Sequence, residues 1–486
     1  MHIPHILIRK SCDYNCVMAN IKIKSQTLNM TEGNPTALII RFAIPMLIGN
    51  IFQQLYNLVD SVIVGRYVGS SALASVGATG SVTFLFFALC NGVGSGGGIV
   101  TSQYFGKGDE KSVRDCISNT AYIMFGMSFV IGILAFVFSG SVLAAMDTPA
   151  DILADATAYL KLQCIGLIFV ALYNYASSML RALGDSKTPL YFLVFSCILN
   201  TGLDLLFVIN FGMGVTGAAI ATVISQLVSG AACLTFAIRK NEYFTLTKEN
   251  LKPNSHIIYQ SVRIGVPLSM QFSLIAISCM VLQSVVNGFG PIAVAAFTAT
   301  SRIEQLIHQP YQTLGASLST YCGQNYGARK HDRVIEGFKK SMVMMFVFSI
   351  LMLPVMQLFG ESIVRIFVED GAVIAMGARA LRITSLFYVC LGTIYTVRGV
   401  LNGVGDAIFS FVNGVVEVVC RLIFPALMTA SAFIGLWGIW YSVGVTWFLS
   451  GLTAYMRYAS YKKKHLITEP EHNNEITGSD HCLQVY

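Results

Sequence analysis

Residues 41–65 read RFAIPMLIGNIFQQLYNLVDSVIVG. The run is membrane material, long enough to cross a bilayer, which takes about 20 residues. Yet it carries a carboxylate, Asp60. An ionised Asp at the centre of a membrane helix costs roughly 2.5–3.5 kcal/mol on insertion scales. Something must offset that cost, and the offset points to function.

The stretch is one of twelve. The chain has 486 residues, 54% hydrophobic and 12% charged, whereas soluble domains run at about 25% charged. Apolar blocks long enough to span fall at 37–65, 72–104, 117–144, 155–182, 189–211 and 215–238, then at 257–287, 292–322, 337–366, 376–401, 408–432 and 436–459. Strand-like alternation is absent, which argues against a barrel. The expected fold is an all-α integral membrane protein with twelve transmembrane helices.

Lys and Arg crowd the loops after spans 2, 4, 6, 8 and 10 and the tail after span 12, as Lys107, Lys111, Arg114, Arg329, Lys330 and Arg333 illustrate. The opposite ends hold Arg66, Lys161, Arg365, Arg379 and Arg382. The positive-inside rule then places both termini in the cytoplasm, and the cell membrane is the expected location. The net charge of +7 is a topological signal and needs no nucleic-acid partner. Residues 1–36, a cytoplasmic tail, lack a signal-peptide core. Met30 in MTEGNP is an alternative start that would leave residues 1–29 with no role in the fold. Residues 460–486 form a second cytoplasmic tail. The twelve cysteines include no Cys-x-x-Cys pair, so free thiols are expected, with neither zinc nor disulfides.

The chain repeats itself. At a shift of 221 residues, Gly69, Ala72 and Ala74 meet Gly290, Ala293 and Ala295, and Gln103 and Gly106 meet Gln324 and Gly327. Likewise Leu180, Gly184 and Asp185 meet Leu401, Gly405 and Asp406. Two six-span halves follow, 37–238 and 257–459, joined by a polar linker at 239–256. An even number of spans per half makes the repeats parallel. Duplicated halves with a central substrate site are how alternating-access transporters are built.

The opening run, GQNYGARK after span 8, and the RALGDSKTP and LNGVGDA turns together resemble the multidrug and toxic compound extrusion (MATE) family over about residues 31–460. The resemblance implies two lobes around a central cleft, and antiport of lipophilic, often cationic, compounds against H+ or Na+. Flippases for polysaccharide and lipid-linked precursors share the superfamily. One branch of the family carries a coupling carboxylate on span 7; here that span offers Gln271 and Gln283. The DinF-like branch is therefore the nearer relative.

Asp60 can now be placed. It lies about six residues inside the outer end of span 1, and Asp204 and Thr222 lie about seven inside spans 5 and 6, at ~1.5 Å rise each. Asn200 sits one turn from Asp204 on the same face. Oxygen-bearing side chains at one depth suit a proton or a hard cation, so Na+ is an alternative to H+ at Asp60, Asn200, Asp204 and Thr222. The resemblance places Asp60, Asn174, Asn200, Asp204 and Thr222 on the cation-site positions of the amino-terminal lobe. In the repeat, Asp60 maps near Val281 or Leu282, Asn200 to Arg421 and Asp204 to Pro425. Coupling is thus expected in one lobe. Two carboxylates in a dry site cannot easily both stay ionised, so ion entry would let the helices repack and release substrate outward. One proton driven by 100 mV contributes about 2.3 kcal/mol and one pH unit about 1.4, enough for roughly a 500-fold gradient.

Other features read as packing. NGVGSGGG (91–98) contains G-x-G-x-x-G but lies inside span 2, so Gly92/Gly96 and Gly94/Gly98 are small-xxx-small contacts. No P-loop supplies ATP chemistry. Glu417 and Arg421 are expected to form an i,i+4 ion pair. Span 8 places Glu304, His308, Tyr311, Gln312 and Gly315 on one stripe, flanked by Arg302, which should face the cleft because lipid would not tolerate it. Gln53 and Tyr56 of span 1 join Arg302, Glu304, His308 and Gln312 as the expected substrate cleft. The reading is a multidrug exporter that functions as a monomer, with small organic substrates and no cofactor beyond the coupling ion. A flippase for a lipid-linked or polyprenyl precursor is the alternative. An intramembrane enzyme ranks below it, since no nucleophile–base pair or metal cluster is visible.

Overall fold

The computed structural model describes residues 27–467, which form helices and no strand. The amino-terminal lobe comprises α1 (Pro35–Tyr67), α2 (Ser70–Lys107), α3 (Glu110–Ala145), α4 (Ala150–Ala182), α5 (Lys187–Asp204) and α6 (Gly214–Lys240). The carboxy-terminal lobe comprises α7 (Ser255–Asn287), α8 (Pro291–Gly327), α9 (His331–Arg365), α10 (Gly371–Ser385), α11 (Tyr388–Gly403), α12 (Ala407–Ala430) and α13 (Gly438–Tyr461). Helices α10 and α11 are one rod bent by 54°, which gives twelve rods.

Among the described residues nine helices are long and apolar enough to cross a membrane alone, ten with the bent pair. Helices α8 and α13 fall short of that test, although the sequence reading counted them as spans. Their polarity points into protein: Ser442, Thr446 and Ser450 of α13 are all 0% exposed. Each donates to a main-chain or neighbouring side-chain oxygen. By contrast Phe129, Ile133, Val137 and Phe138 of α3 are exposed, forming a surface suited to lipid tails.

Local chemistry starts the helices. Asn34 accepts from Thr36 N at 3.0 Å and Pro35 opens α1, a favourable cap followed by a fixed φ. Asp109 caps α3 through Ser112 N at 3.1 Å. That bond holds its carboxyl below the usual carboxylate range. The 221-residue repeat is written in the backbone as well. Positive φ recurs at Gly69 and Gly290 (120° and 86°) and at Gly184 and Gly405 (87° and 93°). It recurs also at Gly108 and Arg329 (76° and 56°), where the second copy holds a side chain.

The lobes meet by close backbone approach. A Cβ on Gly92 would stand 2.1 Å from Ser269 Oγ, and one on Gly96 2.5 Å from Gly265 Cα, so α2 and α7 pack glycine to small residue. Gly94 and Gly98 face Ser178 of α4 instead. This is the packing expected of NGVGSGGG. Where α2 crosses α8 the contact is reciprocal: Gly106 abuts the Gln324 carbonyl and Gly327 abuts the Gln103 carbonyl. Gln103 Nε2 donates to Gly403 O at 2.8 Å and Gln324 Nε2 to Ala182 O at 3.1 Å. Asn50 Nδ2 of α1 donates to Thr313 Oγ1 of α8 at 3.1 Å. These contacts occupy the half of the bundle that carries the Lys/Arg-rich loops.

The linker is folded onto α3, with Asn250 Nδ2 donating to Asp115 Oδ1 and Asn254 N to Asn119 Oδ1, both at 2.8 Å. The segment before α1 is also structured. Leu28 N donates to Leu183 O at 3.2 Å and Met30 is 0% exposed. Leu28 thus meets the fold ahead of Met30. Residues 1–26 and 468–486, with Cys12, Cys16 and Cys482, lie outside the described residues. The nine described cysteines are free.

Candidate functional site

Asp60 projects from α1 and Asp204 from the last residue of α5, and their carboxyl groups are close enough to act on each other. Asp204 is 0% exposed and Asn200, one turn earlier, 1%. The Asn200 amide satisfies its neighbours when Nδ2 donates to Asp204 Oδ2 at 2.8 Å and the oxygen accepts from Thr222 N at 3.2 Å. Thr222 Oγ1 donates to Ala218 O at 3.0 Å, which leaves its lone pairs turned to the group. Asp60 Oδ1 and Asp204 Oδ1 are buried without a hydrogen-bond partner. The five ion pairs among the described residues include neither carboxylate.

Directly after Asp204 the helix widens into a π-turn, Leu205–Asn210, a distortion that recurs at functional sites. Two ionised carboxylates so placed repel each other. A proton between them, or a cation held by both, removes that repulsion. The surrounding oxygens fit either ion.

Of the expected cation-site residues, Asp60, Asn200, Asp204 and Thr222 come together. Asn174 is buried, but its Nδ2 is spent on Val170 O of its own helix at 2.9 Å. Tyr56, expected in the substrate cleft, lies near the acidic group instead. Gln53, one turn along α1, is half-buried. Tyr159 of α4 lies near both carboxylates, and the sequence reading missed it. Its depth near the outer end of span 4 was the available signal.

The span 8 stripe divides. Tyr311 is 0% exposed and shares a 2.8 Å hydrogen bond with Ser349 in the core. Gly315 packs against the Tyr395 carbonyl. Neither faces a cleft, because Tyr311 and Gly315 sit on the edge of the stripe that turns toward α9 and α11. Arg302 and Gln312 are exposed, and Gln312 Nε2 donates to Tyr395 Oη at 3.2 Å. Glu304 and His308 are intermediate in exposure, with Glu304 Oε1 and His308 Nε2 buried and unpartnered. His308 is edge-on to Trp447 at 5.5 Å.

Glu417 pairs not with Arg421 but with Arg398 of α11, Oε1 to Nη2 at 2.6 Å with both side chains 6% exposed. Asn413 and Ser450 complete the network. The shared-helix pairing failed because a guanidinium on the facing helix reaches the carboxylate directly. Arg421 Nη1 instead donates to Ser278 Oγ of α7 at 2.7 Å. Two arginines that could have made a cationic cleft are therefore committed inside the lobe. No group of three or more His, Cys, Asp or Glu among the described residues could hold a metal ion.

Two parallel lobes of helices with surfaces suited to lipid, and unpaired carboxylates within them, are the architecture of a multi-pass membrane transporter. The MatE family model matches residues 45–206 and again 267–427, once per lobe. The chain therefore belongs to the MATE family. It is 29% identical over 445 residues to the "Probable multidrug resistance protein YpnP" of Bacillus subtilis (strain 168), covering 91% of this chain and 99% of that protein. It is 25% identical to the "Probable multidrug resistance protein NorM" of Thermotoga maritima, covering 83% and 87%. A MATE crystal structure in the straight conformation superposes with a TM-score of 0.85 at 24% identity, covering 91% of this chain and 99% of that one. An outward-facing MATE transporter of the MOP superfamily superposes at 0.84, also at 24% identity.

Proposed function

We propose that the protein is a cation-coupled multidrug exporter of the cell membrane, working as a monomer by alternating access, with both termini cytoplasmic. The names of its relatives support the substrate class of lipophilic organic compounds. The observation that carries the mechanism is the Asp60–Asp204 pair, half-buried Asp60 beside fully buried Asp204, with no ion pair to either. In the other lobe the counterpart of Asn200 is Arg421, that of Asp204 is Pro425, and the carboxylate Glu417 is neutralised by Arg398. The amino-terminal lobe sets two unpaired carboxylates together, whereas the unpaired Glu304 of the other lobe stands alone.

The coupling ion we propose is H+. With its amide turned toward Asp204, Asn200 offers the site a donor and not a ligand oxygen. Na+ would have Asp60, Asp204 and Thr222 as ligands and would need that amide to turn. In the cycle, the acidic pair loads from outside while the lobes are joined at their basic ends. Loading removes the charge repulsion, α1 and α5 repack, and substrate leaves outward. Release of the ion inside, after the basic ends part, resets the pair.

Proteoliposomes given a pH gradient or a Na+ gradient, one at a time, test this. Drug accumulation driven by the pH gradient alone is the expected result. Accumulation with Na+ alone would move the assignment to Na+, and accumulation with neither would remove ion coupling.

A further inference from the structure

Residues 27–34 cross the basic end of the molecule and touch both lobes. On the amino-terminal side, Leu28 N donates to Leu183 O at 3.2 Å in the turn between α4 and α5. The turn admits this approach because Gly184 has φ +87° and no side chain, and a Cβ there would stand 2.3 Å from the Leu28 carbonyl oxygen. The carboxy-terminal side is gripped more densely. Met30 N donates to Gln324 Oε1 at 2.8 Å, and Met30 O accepts from Asn325 Nδ2 at 3.1 Å and Arg333 Nη2 at 3.2 Å. Lys330 Nζ donates to Thr31 O and Arg333 Nη1 to Gly33 O, both at 3.0 Å. The Met30 side chain is 0% exposed and packs with Leu318, Tyr321 and Val334 of α8 and α9.

Gln324 is the hinge of the arrangement. Its oxygen takes the Met30 N–H while its Nε2 donates across the lobes to Ala182 O at 3.1 Å. The same residue's main chain is what Gly106 abuts. One residue thus ties together the strap, the α4 terminus and the α2–α8 crossing.

We propose that the strap 27–34 is a latch that holds the basic ends of the lobes together. On opening it stays with the carboxy-terminal lobe and releases Leu28 from the Leu183–Gly184 turn. The proposal rests on the alternating-access reading above. The strap runs into α1, whose Ile39 and Phe42 share the cluster of Met30, Leu318 and Tyr321, so the start of α1 stays with it, and separation breaks the Leu28 contact and spares those of Met30, Thr31 and Gly33. The latch lies far from the acidic pair, so it sets how often the inner gate opens without touching ion or substrate.

The test uses the full chain in nanodiscs, with fluorophores attached through non-natural amino acids at Lys107 and Arg329, both exposed, to report the distance between the basic ends. Gly184→Ala pushes Leu28 off its turn, and a chain started at Met30 removes the same anchor without changing the turn. Each is expected to raise the ratio of long-distance to short-distance populations about five-fold, the effect of one lost intramolecular hydrogen bond. A further label at Glu32 should keep its distance to Arg329 and lengthen its distance to Lys107 in the open population. Gly106→Ala serves as the separator, since its Cβ would collide with the Gln324 carbonyl whatever the strap does. If Gly106→Ala lengthens the distance and both strap variants leave it unchanged, the latch is wrong and alternating access stands. If none of the three variants, each folded, lengthens it, the basic ends do not part and the transport reading fails with the latch. Lengthening between Glu32 and Arg329 would overturn the side on which the strap stays.

Discussion

Arg398 and Glu417 close a buried ion pair at 2.6 Å, and that pair is what makes the two lobes chemically unlike. The duplicated halves share turns and glycines, but the carboxy-terminal lobe neutralises Glu417 internally while the amino-terminal lobe leaves Asp60 and Asp204 with no ion pair. Removing one member of a buried pair strands the other. Glu417→Gln or Arg398→Ala should cost about 3–5 kcal/mol of stability, while replacing both by apolar residues of similar volume should come close to neutral. Thermal unfolding of the three variants in detergent checks this.

The glycine contacts between α2 and α7 give a second prediction. Gly96→Val places side-chain atoms where Gly265 Cα and Ser261 O now lie, at 2.5 and 2.7 Å from the Cβ position. Backbone cannot yield as a side chain can, so folded yield should fall sharply. Gly77→Ala on the same helix meets nothing within 4 Å, and should leave yield and melting unchanged. The comparison by size-exclusion chromatography isolates packing from helix propensity.

The divided stripe of α8 predicts divided phenotypes. Tyr311→Phe loses the Ser349 hydrogen bond, about 1 kcal/mol of stability, and should leave the range of exported compounds as it was. Gln312→Ala, at an exposed position, should change relative export of different drugs with little change in melting temperature. Drug-resistance profiles set beside melting curves distinguish the two.

Much of this was legible before the fold was known. The 221-residue repeat fixed the two lobes because the turns need positive φ at equivalent glycines, and those residues survive at both copies. Asp60, Asn200, Asp204 and Thr222 could be matched by depth because a carboxylate inside an apolar helix has few places to go. The failures share a cause. Glu417 was paired along its own helix, Tyr311 was turned to the cleft and Tyr159 was overlooked, since each depends on which neighbouring helix stands opposite. Single-helix periodicity carries no such information. The strap was missed for a related reason: its bonds are made by main chain, which leaves no compositional mark.

Orientation has its own check. Labels at His465 and Arg329 should be reachable from the cytoplasm alone, and labels at Thr148 and at Phe433, which is 99% exposed, from outside alone. Reversed labelling would invert the direction of transport. Impermeant reagents on intact cells and inverted vesicles read this directly.

The central claim is that the Asp60–Asp204 pair couples ion movement to export. Asp60→Asn and Asp204→Asn each remove a charge that destabilises the buried site, so both variants should fold and insert at least as well as the parent. In proteoliposomes with an imposed pH gradient, uphill drug accumulation should vanish in both while drug binding to the purified protein persists. Uphill accumulation at the parent rate in both variants would contradict the account.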